Sequence, residues 1–479
     1  MNLFFRRFFV GMLFLLMAYP AVGFEGGTYV TPDLWSMHTS PGQFKEMYRG
    51  IPMGSTKMNL SLTSRYRLRT NDYGEDQDFY QYVRASVDPV KLGEGTVRGS
   101  AFVRFADDLN NNDDRQWGSG QYYYFEDALD KELEENDLAP RVYHLKLELD
   151  NVLPNTKVTG GRFYLDHLNS FQLDGLDVNM KFLDDRLKVY VFGGSTVSYY
   201  VDSDEDFFYG GGASFQVFDK TRVSGEYIRV DADDFDEDDY LKLRLDQGLG
   251  IGNAAVEYTH LNSTNKLLFL GDFLISPTKT RVNLEYETLR DSIDTDNSYL
   301  VNPFTYELLP EKKYNRFEIS AYQGLGNNFL VGAGYELRRV DKSRYEDFGN
   351  RNYDRVFGNF DIIGLPTRNT YISFKIDYWD IDSNDYASSN DRLLWGVEIS
   401  QRIIDGVDVW LGTSQRKYEY DYINDRRKDD VRSYYVGGQW EPNDWFSFLV
   451  DFNYEKSEMY DEGDLEDIFI LETWVNLVF

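Results

Sequence analysis

The stretch Ile470-Leu-Glu-Thr-Trp-Val-Asn-Leu-Val-Phe479 decides the fold. Counting back from the last residue, one set of alternate positions is almost wholly apolar: Phe479, Leu477, Val475, Thr473, Leu471 and Phe469. Alternate residues of a β-strand point to opposite faces, so this pattern predicts a strand with one apolar face. About ten residues are also enough for a tilted strand to cross a bilayer.

The same period of two recurs along the chain, as in the segments Lys57–Arg69, Tyr240–Asp246, Thr370–Tyr378 and Phe446–Glu455. In Thr370–Tyr378, for example, four apolar residues alternate with Ser, Lys and Asp. A soluble β-sandwich also alternates, but persistence over about ten residues in segment after segment is typical of strands that cross a membrane.

Such segments number about 22, within a range of about 18–24. They start near residues 57, 79, 96, 141, 156, 174, 187, 210, 221, 239, 253, 266, 279, 314, 328, 353, 368, 391, 406, 430, 445 and 466. Short turns alternate with longer polar connections, among them 107–140, 195–209, 231–238 and 290–313. The sequence therefore predicts an all-β protein: one antiparallel up-and-down transmembrane barrel with short periplasmic turns and long acidic external loops.

The N-terminal region has the layout of a secretory signal peptide. Arg6 and Arg7 precede an apolar run at 8–18, and small residues stand before a cleavage site after Gly23. We expect residues 1–23 to be the signal peptide, residues 24–56 a periplasmic leader and residues 57–479 the barrel. The chain has no cysteine, which suits an oxidising periplasm and excludes thiolate chemistry.

The formal net charge of −31 argues against nucleic acid as a partner. Several acidic runs fall in the long connections, and we interpret them as solvated external loops, with loose association of Ca²⁺ or Mg²⁺ near lipopolysaccharide as the alternative. We expect no cofactor and no dedicated metal site. A catalytic barrel would need His144 or His167 beside a nucleophile or a metal, and no motif of that kind is recognisable, so we expect no enzyme.

The alternating C-terminal stretch resembles the assembly signal of outer-membrane proteins, with Phe479, Leu477 and Val475 at its apolar positions. The resemblance implies recognition by the barrel-assembly machinery and a place in the outer membrane of a Gram-negative bacterium. The segments 162–166 (RFYLD) and 171–175 (FQLDG) loosely resemble parts of substrate-selective porins, including alginate-export-like barrels.

Two sets of charged residues are candidates for the pore. The polar faces of the first three strands carry arginines, which would line the lumen: Arg65, Arg67, Arg69, Arg84, Arg98 and Arg104. The next long connection is acidic and could fold inward as a constriction: Asp113, Asp114, Glu126, Asp127, Glu134 and Glu135. Alternatively, these charges only solvate one another inside a wet barrel.

The sequence thus predicts a porin through which small hydrophilic solutes diffuse passively. The alternative is a barrel that sheathes a partner protein, such as a periplasmic multihaem cytochrome in a complex across the outer membrane. Barrels near 22 strands usually hold a plug, and residues 24–56 are too few to form one. Either the barrel has fewer than 22 strands, or the loops 107–140 and 290–313 fill the lumen, or a partner does.

Overall fold

The computed structural model describes a protein built of β-strands. The described residues are 51–53, 56–71, 75–109, 139–197, 207–231, 238–261, 264–290, 313–340, 351–382, 390–422, 425–458 and 465–479. Residues 1–50, which comprise the predicted signal peptide and most of the predicted leader, lie outside these ranges. Within the described ranges, no helix is long and apolar enough to cross a membrane.

The strands follow one another along the chain with short connections at one end. Their bounds are β1 Ile51–Met53, β2 Thr56–Thr70, β3 Glu75–Val87, β4 Val90–Leu92, β5 Gly95–Asp108, β6 Ala139–Asp150, β7 Thr156–Tyr164, β8 Gln172–Phe182, β9 Leu187–Thr196, β10 Phe207–Phe218, β11 Thr221–Asp231, β12 Asp238–Leu249, β13 Gly252–Leu261, β14 Thr264–Ile275, β15 Thr280–Leu289, β16 Tyr314–Leu325, β17 Phe329–Val340, β18 Tyr353–Ile363, β19 Thr370–Ile381, β20 Asn390–Ile404, β21 Val407–Tyr422, β22 Asp425–Asn443, β23 Phe446–Glu458 and β24 Leu465–Val478.

The sheet closes on itself. Each long strand pairs antiparallel with the next, and β24 pairs with β2 in a register that sets Leu477 opposite Leu62. The three-residue strands β1 and β4 extend neighbouring hairpins, and the other 22 form the ring. The predicted fold class and strand number are confirmed. Because the ring has no edge, every strand finds hydrogen-bond partners on both sides.

The two faces of the ring differ in chemistry. On β12, the side chains of Leu243 and Leu245 are exposed on the outer face, whereas the neighbouring Lys242 reaches Glu257 along the lumen wall. On β19, Phe374 is 40% exposed and faces outward. An apolar outer face around a polar interior is the arrangement of an outer-membrane β-barrel, whose outer face contacts lipid.

Tight turns join the strands at the end that we take as periplasmic. The shortest include Asp219–Lys220, Gly250–Ile251 and Asp405–Gly406. Gly406 has a φ of +78°, and a Cβ atom there would lie 2.3 Å from the carbonyl oxygen of Glu441. Only glycine fits this position, as expected for an Asp-Gly hairpin turn.

Neighbouring residues of β19 offer a test of the facing. Replacing Phe374 by Arg puts a charge near the middle of the lipid face, which costs about 2–4 kcal/mol in a barrel of this kind. Lys375→Leu, its matched control on the lumen side, should change the free energy of unfolding far less. Urea unfolding in lipid vesicles measures both. Equal losses would contradict the assignment of the two faces.

The last residue completes the ring. The Phe479 backbone N–H donates to the Leu60 carbonyl oxygen at 2.8 Å, and the Leu60 N–H donates to the Phe479 carbonyl at 3.3 Å. We predict that deleting Phe479 lowers the amount of heat-modifiable folded barrel in cells. Phe479→Ala keeps the backbone bonds, so a defect shared by both variants reports recognition of the aromatic side chain. Normal membrane levels of both would contradict the assembly-signal hypothesis.

Candidate functional site: the lumen wall and its inserted segment

Two of the candidate arginines are held by carboxylates on the neighbouring strand. On β2, Arg67 Nε donates to Asp78 Oδ2 and Arg69 Nε donates to Asp76 Oδ2, both at 2.6 Å. The two aspartate side chains on β3 are 1% exposed. Because each pair lies close together and is desolvated, it presents a dipole to the lumen rather than a net positive charge.

Arg65 lies between two aromatic rings on the same wall. Its guanidinium carbon is 5.3 Å from the ring centroid of Tyr80 and 4.9 Å from that of Trp474. It also forms an ion pair with Glu472 on β24. The rings and the carboxylate fix its orientation, so Arg65 belongs to the seam between the first and last strands.

The remaining candidates differ in exposure. Arg104 is 8% exposed and lies 5.8 Å from the Tyr80 ring centroid. Arg84 is exposed, with its guanidinium 4.3 Å from the ring centroid of Phe102. Arg98 is exposed and forms no ion pair with any described residue. Of the six predicted pore-lining arginines, Arg84 and Arg98 are therefore the two whose side chains are exposed.

An aromatic belt crosses the same wall, and the sequence analysis missed it. It consists of Trp474, Tyr82, Phe102 and Tyr143, on four strands. Their ring centroids follow one another at 6.3, 6.1 and 4.7 Å. The available signal was the period of two, because Tyr82 and Phe102 stand two residues before Arg84 and Arg104 and therefore share the lumen face with them.

The predicted acidic constriction cannot be placed. Its six candidates all lie in 110–138, outside the described residues: Asp113, Asp114, Glu126, Asp127, Glu134 and Glu135. The inward folding of that loop therefore stays a prediction.

A different segment does enter the lumen. Residues 165–171, here called the lumen segment, connect β7 to β8, and Leu165 is 2% and Phe171 8% exposed. They form an apolar cluster with inward-facing residues of β7 to β12: Phe163, Leu173, Tyr190, Phe192, Phe208, Ile228, Val230 and Tyr240. The connection thus lies against the inner wall instead of extending outward.

Glycines on β10 make room for this cluster. The lumen face of β10 carries Gly210 and Gly212 opposite Phe192 and Tyr190. A Cβ atom at Gly212 would lie 2.5 Å from the Tyr190 hydroxyl, and one at Gly210 would lie 2.7 Å from the Phe192 ring. Side chains at these positions would displace the aromatic rings on which Phe171 rests. The run Gly210-Gly211-Gly212 was the available signal for this feature.

Polar contacts fix the lumen segment to strands further along the wall. Asn169 Oδ1 accepts hydrogen bonds from the Tyr240 hydroxyl at 2.8 Å and from Lys242 Nζ at 3.2 Å, and its amide donates to Glu226. Lys242 also donates to the Leu168 carbonyl at 3.3 Å. These bonds link the β7–β8 connection to β11 and β12, so they bridge β8, β9 and β10.

The two histidines considered for catalysis lie in different surroundings. His167 Nε2 is 2.8 Å from Asp177 Oδ1, its ring stacks on Tyr190 at 3.7 Å, and its side chain is 4% exposed. His144 lies on β6, 6.0 Å from the Phe102 ring centroid. Among the described residues, no group of three or more His, Asp or Glu is arranged to hold a metal ion.

Two cavities border the lumen segment on its periplasmic side. The larger has a volume of about 1070 Å³ and extends along β9 to β16, and the smaller, of about 580 Å³, lies against β6 to β9. Asp166, His167 and Lys188 line both cavities. The lumen segment therefore separates two polar compartments whose shared boundary carries charge.

A second charged wall lies about half-way around the ring from the arginines. Arg316 pairs with Glu285 and approaches Glu336 at 3.8 Å. Arg355 bonds Glu336 at 3.0 Å and Asp377 at 2.9 Å. These side chains on β15 to β19 form a continuous network of alternating charge, which supports a hydrated interior.

The apolar attachment of the lumen segment can be tested with Phe171, whose ring meets that of Phe208 edge-on at 4.6 Å. Removing a buried ring costs about 3–5 kcal/mol, so Phe171→Ala should release the segment. In the cysteine-free chain, an engineered Leu165→Cys should react with a membrane-impermeant maleimide at least about tenfold faster when Phe171→Ala is present. Exposed Ser170→Cys should react quickly in both backgrounds. Equal rates at Leu165→Cys would show that the ring does not hold the segment.

Comparison with known proteins gives structural similarities alone. No protein-family model and no curated protein matches the chain. Similar solved structures include OccK1 (OpdK) of Pseudomonas aeruginosa, with 13% identity, coverage of 88% of this chain and 99% of that chain, and a TM-score of 0.42. OccD3 (OpdP) of the same organism has 10% identity, with coverage of 91% of this chain and 94% of that chain and a TM-score of 0.39. OccAB1 of Acinetobacter baumannii has 12% identity, with coverage of 91% of this chain and 98% of that chain and a TM-score of 0.43. The fold of the chain itself, by its own strand pairing, is a 22-stranded outer-membrane β-barrel.

Proposed function

We propose that the barrel is an outer-membrane channel through which small hydrophilic solutes diffuse passively. The observation that carries this proposal is the contrast between its faces: exposed apolar side chains outside, ion-paired side chains and two polar cavities inside. A lumen wall with so many charges is stable only if water reaches it, because unhydrated charges are expensive to bury. A hydrated lumen within a closed barrel is a path for solutes.

The lumen segment favours a channel over a sheath. A barrel that encloses a folded partner protein needs an open interior. In this barrel, residues 165–171 lie inside the lumen and are held there by both apolar and polar contacts. The segment also narrows the lumen at its own level.

Planar-bilayer recording of the purified chain tests the channel. We expect stepwise conductance from the barrel alone, in the absence of any other protein. A barrel that conducts nothing and copurifies in fixed ratio with a periplasmic protein would instead support the sheath.

The exposed arginines predict the direction of selectivity changes. At roughly 8 Å in physiological salt, one unit charge changes the energy of a passing ion by about 0.2 kcal/mol after screening, which is about 1.4-fold in permeability and opposite in direction for cations and anions. The double variant Arg84→Ser/Arg98→Ser should therefore raise the cation-to-anion permeability ratio about fourfold at most, as measured by reversal potentials in asymmetric salt. Arg84→Lys/Arg98→Lys retains the charge and should leave the ratio near that of the parent. An unchanged ratio in both would show that the two arginines lie away from the narrow zone.

A further inference from the structure

The boundary between the two cavities carries a lysine that has no carboxylate partner among the described residues. Lys188 lines both cavities, is half-buried, and forms no ion pair with a described residue. Its ammonium lies 5.8 Å from the Tyr190 ring centroid. Lys181 stands directly opposite on β8, and its one ion pair with a described residue is a 3.9 Å contact with exposed Asp185. Like charges directly opposite across a sheet repel, so an anionic group at this point would stabilise the pair.

A carboxylate on the lumen segment shares the same two cavities. Asp166 is exposed, lines both cavities, and forms no ion pair with a described residue. It precedes His167, whose side chain is 4% exposed and whose Nε2 lies 2.8 Å from Asp177 Oδ1, so the backbone that carries Asp166 is fixed at the cavity wall.

The other charges around the smaller cavity largely satisfy one another. It is lined by four lysines and five carboxylates: Lys146, Lys157, Lys181, Lys188, Glu148, Asp150, Asp166, Asp177 and Asp185. Glu148 holds both Lys157, at 2.7 Å, and Lys146, at 3.4 Å, and Asp177 contacts His167. Because the lining has nearly balanced charge, a simple anion or cation gains little from the cavity as a whole.

We propose that the cavities beside the lumen segment form a binding site for small zwitterionic solutes, whose anionic group is held by Lys188 and whose ammonium group is held by Asp166. The site deepens the proposed channel function and rests on it. A dipolar solute pairs with Lys188 and Asp166 at the same time, whereas an ion of either sign pairs with only one of them. Charge-assisted contacts at both ends then hold the solute across the boundary between the two compartments.

Equilibrium binding to the folded, full-length protein in detergent tests the site directly. Isothermal titration with γ-aminobutyrate and 6-aminohexanoate is compared with butyrate and butylammonium, which carry one end each. We expect the zwitterions to bind at least about tenfold more tightly than either mono-ion. Lys188→Gln and Asp166→Asn should each weaken zwitterion binding by about tenfold, to the level of the corresponding mono-ion.

Lys375→Gln, a lumen lysine on β19 that borders neither cavity, is the matched control and should bind zwitterions like the parent. Heat-modifiable mobility verifies that each variant is folded. Equal binding of butyrate and γ-aminobutyrate, or unchanged binding in Lys188→Gln, would overturn the proposal. Conductance of the same preparations separates the two levels: a conducting parent that binds no zwitterion rejects the site and leaves the channel, whereas binding without conductance rejects the channel.

Discussion

Backbone hydrogen bonding inside a bilayer is the constraint on which this structure depends. No water is available in the hydrocarbon region, so each unpaired N–H or C=O group there costs several kcal/mol. The chain meets this constraint by pairing β24 with β2, from Ser61 opposite Val478 to Thr70 opposite Phe469. Once the ring is closed, lipid requires an apolar outer face, and the period of two assigns every other side chain to the lumen.

This constraint explains why the sequence predicts the strands so well. The 22 predicted starting points fall within five residues of the observed ones, and the largest difference is at β22, predicted near 430 and observed at Asp425. Lipid selects for strict alternation at positions such as Phe374 and Lys375, so each strand carries its own signal. The pattern is local, and it needs no knowledge of which strands are neighbours.

The interior could not be predicted in the same way, because its contacts join residues far apart in sequence. Leu165 and Phe171 flank a short polar stretch, and they are compatible with the ends of two lipid-facing strands. Only the register that brings Phe192 and Phe208 beside them, over the glycines of β10, shows that they turn inward. Likewise, the sequence showed the arginines on one face, but not that Asp76 and Asp78 hold two of them.

The pairing of lumen charges limits which residues can act on a passing solute. An arginine bound to a buried aspartate, such as Arg67, presents a dipole whose field decays rapidly, and salt screens the remainder within about 8–10 Å. The overall charge of −31 therefore says little about the field along the lumen. If the barrel is the proposed channel, we expect selectivity to depend instead on charges without a close carboxylate or ammonium partner among the described residues, such as Arg98 on one side and Lys188 and Asp166 beside the lumen segment. Because Lys188 and Asp166 belong to different elements, their spacing is set by the attachment of the lumen segment, and the apolar contacts of Phe171 therefore support the geometry of the proposed site.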